Sequence, residues 1–83
     1  MKKASPALKQ SLIESIKNQI KENNPPETKQ TYFRLLSEGF SEEEVYIYLT
    51  QALAYEMFAI MKKPRNYDSA NYIELLSKLP HLD

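Results

Sequence analysis

Cysteine is absent from this chain of 83 residues and glycine occurs once. Without cysteine there is no disulfide, no thiolate nucleophile and no zinc site that depends on sulfur. Charge of one sign is also missing. Eleven Lys and Arg balance eleven Asp and Glu, so no overall field draws nucleic acid or an anionic membrane. There is one histidine, His81, and it follows Pro80 near the end of the chain, which leaves little from which to build a metal site or a general base. Long apolar runs are lacking too. The most apolar stretch, Val45 to Met61, carries Thr50, Gln51 and Glu56 and is too short and polar to span a bilayer. The start, Met1-Lys2-Lys3-Ala4-Ser5-Pro6, has the charge of a signal peptide, but Leu8-Lys9-Gln10-Ser11 follows in place of an apolar run. These absences predict a cytoplasmic, non-enzymatic chain with no cofactor, no metal, no nucleic acid and no membrane partner. Its length predicts one domain over residues 1–83 with one modest core.

What is present is punctuation suited to helices. The prolines divide the chain into segments of helical length. The first segment opens with Ser5 as N-cap and Pro6 at the first helical position. It then repeats Leu8, Leu12, Ile16 and Ile20 every four residues, with Ile13 alongside. Asn23-Asn24-Pro25-Pro26 stops it, because the residue before a proline is pushed out of the α region. The second segment puts Thr28, Tyr32, Leu35 and Leu36 on one face, with Phe33 at its margin. Gly39 suits a left-handed helix stop, with Phe40 packing back on Leu35. Ser41 and Glu44 then form a capping box, with Phe40 placed to staple onto Val45. This is the strongest local signal in the chain.

The third segment is long and has two apolar sides. Val45, Leu49, Ala52, Leu53 and Ile60 form one stripe; Ile47, Ala54, Phe58 and Met61 form a second opposite it. Such a helix is central or self-associating. Lys62 and Lys63 suit its C-terminal end, and Pro64 ends it. Asp68 caps a last segment whose buried face is Tyr72, Leu75, Leu76 and Leu79. The fold predicted is therefore all-α, an irregular four-helix array around a long central third helix, spanning approximately residues 6–22, 26–38, 42–63 and 69–79.

Glu56 is the oddest placement, because it falls in the first apolar stripe of the third helix. A carboxylate there needs a hydrogen-bond partner, a base such as Arg34 or Lys78, or a raised pKa. A structural acid is the favoured reading, since catalysis usually needs a second acid, base or metal and no such spacing accompanies it. Six tyrosines also stand out. Their favoured reading is the wet rim of a small core; with Phe and Met they also suit an interface.

The short glycine-containing turn is that of a helix-turn-helix, but the residues that would meet DNA are Glu42, Glu43 and Glu44, which repel phosphate. The Gly39-Phe40 loop also resembles that of ubiquitin-associated domains. It has Glu38 where they carry methionine, and its third helix is far too long for them. The run from Asn24, N-P-P-E-T-K-Q-T-Y-F-R-L-L-S-E-G-F-S-E-E-E, with Tyr72 and Leu75-Leu76-Ser77-Lys78-Leu79-Pro80, resembles an uncharacterised bacterial family of small helical proteins. That resemblance implies a bacterial cytosolic protein and supplies no activity or site residues.

The functional expectation is a non-catalytic domain that binds a protein partner or a second copy. The face expected to do so comprises Ile47, Tyr48, Tyr55, Phe58 and Met61 of the third helix. The alternative is small-ligand binding, with Glu56 in a cavity between helices.

Overall fold

The computed structural model describes residues 6–63 and 69–82. The Ser5 cap, the Pro64 stop, Arg65, Tyr67 and the Asp68 cap lie outside the described residues. The chain is all-α: α1 (Pro6–Glu22), α2 (Pro26–Ser37), α3 (Glu42–Lys62) and α4 (Ser69–Lys78). The last three end one residue earlier than the sequence pattern places them.

Local chemistry explains the helix ends. At the end of α2, Gly39 has φ 101° and its N–H donates to Leu36 O, while Phe40 N–H donates to Leu35 O. Those are the two bonds of a Schellman stop. Ser41 then caps α3: its hydroxyl accepts from Glu44 N–H at 3.1 Å and its own N–H donates to Glu44 Oε1 at 2.9 Å. The capping box is therefore complete. The end of α1 repeats the stop without glycine. Asn23 has φ 55°, its N–H donates to Ile20 O, and Asn24 N–H donates to Gln19 O. Asparagine tolerates the left-handed region better than other non-glycine residues. The sequence reading credited this stop to the prolines alone; Pro25 and Pro26 follow a turn that Asn23 has already made.

The core is Ile16 of α1, Leu35 of α2, Val45, Leu49 and Ala52 of α3, Tyr72 and Leu76 of α4, and Leu79 just beyond it. The first stripe of α3 supplies more of it than any other element, as expected. Among the described residues α3 packs on all three other helices, but α2 does so as well, while α1 and α4 form no direct packing pair. The array thus has two inner helices, α2 and α3, with α1 and α4 to either side. Leu8 departs from expectation. It shares the periodicity of Ile16 but is 43% exposed in the first turn of α1.

Polar ties hold the layers in register. Gln19 Oε1 accepts from Thr28 Oγ at 2.7 Å and from the Tyr72 hydroxyl at 2.9 Å, so one amide oxygen of α1 joins α2 and α4. Arg34 of α2 donates to Leu76 O at 3.2 Å, joining Leu79 N–H on a carbonyl in the last turn of α4. It also pairs with Glu38 at 3.1 Å. No buried side-chain nitrogen or oxygen among the described residues lacks a partner.

Candidate functional site

With α3's first stripe buried, its opposite stripe faces outward. Ile47 is 43% exposed, Phe58 59% and Met61 72%, and Ala54 between them is half-buried. Tyr55 and Met57 are also exposed. Large apolar side chains at this exposure sacrifice burial that a better-covered helix would gain, roughly 1.5–3 kcal/mol for each that could be fully buried. The helix that runs alongside, α1, covers only part of the stripe.

Between α1 and α3 lies a groove of about 300 Å³ lined by Leu8, Leu12, Ala54, Met57, Phe58 and Met61. Every lining residue is apolar. The sequence pattern identified Ala54, Phe58 and Met61 as one stripe, but it missed Met57 and assigned Leu8 and Leu12 to the core. Periodicity tells which side of a helix is apolar; it does not tell how far along that side the neighbouring helix reaches.

The five residues expected as an interaction face are not all together. Phe58 and Met61 wall the apolar groove. Tyr55 is exposed on the same helix. Ile47 lies toward the other end of the α1–α3 seam, in a second groove of about 320 Å³ with Lys9, Ile13, Lys17, Glu42, Glu43, Tyr46 and Thr50. Tyr48 stands apart: it is half-buried, with its ring edge-on to Phe40 at 5.2 Å between centroids.

The second groove mixes charge with aromatic surface. Lys17 Nζ sits 5.9 Å from the centroid of the Tyr46 ring, within cation–π range. Tyr32 donates to Glu42 Oε2 at 2.7 Å, and this bond, together with desolvation, pushes the Tyr32 phenol up to about 12. Burial, then the nearby charge of Glu42, raises the Tyr46 phenol as well. Both effects favour the neutral phenol, so these two tyrosines act as hydrogen-bonding groups and ring surfaces at neutral pH.

Glu56 is fully buried, and Asn71 of α4 donates to its Oε1 at 2.5 Å. Among the described residues neither Arg34 nor Lys78, the bases considered from sequence, pairs with it; Arg34 is engaged by Leu76 and Glu38. None of the four grooves described on the molecule is lined by Glu56. Its geometry ties α3 to α4. No group of three or more His, Asp or Glu among the described residues is placed to hold a metal ion, and no described helix is long and apolar enough to cross a membrane.

No protein-family model, curated protein or solved structure matches the chain.

Proposed function

We propose that this chain is a non-catalytic interaction domain whose working surface is the outward stripe of α3 with the adjoining end of α1. The observation that carries the reading is the groove of Leu8, Leu12, Ala54, Met57, Phe58 and Met61, apolar throughout and open at the surface. Contiguous exposed apolar surface of this kind marks protein contact sites more often than isolated exposed side chains do. Two neighbouring helices form a trough into which the apolar ridge of a third helix fits, so the partner chemistry is an amphipathic helix.

The ligand-binding alternative has less support. Glu56 is enclosed and hydrogen-bonded to Asn71, and the described grooves lie elsewhere.

A photo-reactive benzoylphenylalanine placed at 58 or 61, and for comparison at the exposed positions 29 and 74, tests the reading in cells producing the full chain. The expected result is a discrete protein cross-link from 58 and 61, none from 29 and 74, and loss of the product when Ala54→Arg fills the groove. Equal labelling from both sets of positions would remove the groove as an interaction surface.

A further inference from the structure

We propose that the occupant of this face is a second copy of the same chain, with the two α3 helices antiparallel about a two-fold axis level with residues 52 and 53. The proposal rests on the reading of this face as an interaction surface and goes beyond it by naming the partner and its direction.

Spacing supplies the first part of the case. Ile47, Ala54 and Met61 recur every seven residues along α3, and Thr50 and Met57 repeat the same interval between them. A seven-residue apolar repeat keeps one line of side chains facing a neighbouring helix over successive turns. That line is on the outside here: Ile47, Met57 and Met61 are exposed, while Ala54 and Thr50 are partly covered. Small Ala54 stands near the middle of the helix, where a close approach of two backbones needs it.

Charge supplies the second part and selects the direction. The first turn of α3 carries Glu42, Glu43 and Glu44, and the other end carries Lys62 and Lys63, all exposed. A symmetric contact uses the same patch on both subunits, so the patch must be complementary to itself. The α3 strip itself, acidic at one end with Lys9 and Lys17 of α1 alongside, apolar in the middle and basic at the other end, meets that condition when reversed. Antiparallel packing sets the glutamates of each copy level with the lysines of the other. It also opposes the helix dipoles favourably. Parallel packing would stack like charges at both ends. Zero net charge adds no general repulsion between copies.

The register follows from the helix geometry. With the axis level with 52 and 53, Ile47 of each copy meets Phe58 of the other, and Glu43 comes level with Met61 and Lys62. Residue 43 of one copy is then about 28 Å along the helix from residue 43 of the other, at about 1.5 Å per residue. A disulfide cannot bridge that distance.

The absence of cysteine makes the test clean. Sedimentation velocity of the full chain over a concentration series is expected to show a monomer–dimer equilibrium. Phe58→Asp, at an exposed position, should weaken it roughly 30-fold or more with helical content unchanged, the effect of removing a buried aromatic anchor from an interface. Glu43→Cys mixed with Met61→Cys should give an oxidised dimer that neither variant gives alone. A dimer that cross-links in each single variant, with no product joining one variant to the other in the mixture, overturns the antiparallel arrangement. A chain that stays monomeric at every concentration, while position 58 still cross-links to a different polypeptide, overturns the second copy and leaves the interaction surface standing. Monomer behaviour with no cross-link of any kind overturns both.

Discussion

The phenolic hydroxyl of Tyr72 and the side-chain oxygen of Gln19 are 2.9 Å apart, across 53 residues of sequence, and that oxygen also takes the Thr28 hydroxyl at 2.7 Å. Thr28 and Tyr72 are fully buried. An amide oxygen has two lone pairs, so Gln19 uses both on donors from two different helices. Among the described residues α1 and α4 do not pack directly on each other, so this bond is a tie between them.

Removing the acceptor should therefore do more harm than removing one donor. Tyr72→Phe deletes one hydroxyl and leaves Gln19 bonded to Thr28; its loss should be about 1 kcal/mol, near the usual net value of a hydrogen bond. Gln19→Leu takes this acceptor from two buried hydroxyls and should cost more than Tyr72→Phe, because a buried group that loses a bond bears its own desolvation penalty. In the Gln19→Leu background, Tyr72→Phe should cost less than it does in the parent. Urea unfolding of the four chains measures the coupling, and strict additivity would show that the bond is not a tie.

The stop at the end of α2 gives a cleaner backbone test. A Cβ added at Gly39 meets nothing within 4 Å, so any penalty for Gly39→Ala comes from holding alanine at φ 101°. About 1–2 kcal/mol is expected from the left-handed conformation alone. Gly39→Asn should lose less. At the matching stop after α1, where Asn23 already has φ 55°, Asn23→Gly should change stability by about 0.5 kcal/mol or less. Thermal melts separate these cases, since about 1 kcal/mol shifts the midpoint of a domain this size by roughly 4–8 °C. Equal effects at 39 and 23 would contradict the assignment of strain to φ.

These two cases also mark what the sequence could and could not reveal. Gly39, Phe40, Ser41 and Glu44 act on neighbours within a few residues, so their stop and capping box were readable as a string. The outward stripe of α3 was readable for the same reason, since it follows from 100° per residue. Gln19 was not. It is a polar residue on an amphipathic helix, and nothing local announces that its partners are Thr28 and Tyr72. Leu8 was misjudged because a helix can carry its apolar stripe past the end of its support. The role of α2 as a second inner helix was also hidden, since its short length suggested a peripheral element. Thr31, buried on α2 beside the expected Thr28, went unseen because threonine carries no clear polarity signal.

Glu56 yields a prediction about role. Its oxygen accepts from Asn71 Nδ2, so Glu56→Gln keeps one acceptor of the same shape and turns the other carboxyl oxygen into a donating NH2. The cost should be about 1 kcal/mol or more. Glu56→Leu removes the acceptor and should cost more, and Asn71→Ala should cost less in that background than in the parent. Chemical denaturation of the three variants checks the order. A Glu56→Gln chain as stable as the parent would take away the structural role and return this carboxylate to the list of binding candidates.

Tyr32 and Glu42 tie the end of the α2–α3 connection through a bond that exists only while the phenol keeps its proton. Tyr32 is held at about 12 against an ordinary 10.0, chiefly by that bond and then by desolvation, with the charge of Glu42 adding to both. For a group whose folded pKa is raised, the stabilisation is fully present below the unfolded value and disappears as pH climbs through the folded one. Stability linked to Tyr32 should thus be flat up to about pH 10 and fall between about pH 10 and 12. Phenolate absorbance should show Tyr32 ionising late, with Tyr46 also displaced upward by burial and by Glu42. Glu42→Gln should bring Tyr32 back toward the ordinary range and flatten the alkaline loss, because the neutral amide neither repels phenolate nor accepts as strongly. If the late phenol persists in Glu42→Gln, desolvation dominates and the carboxylate is not what holds the proton.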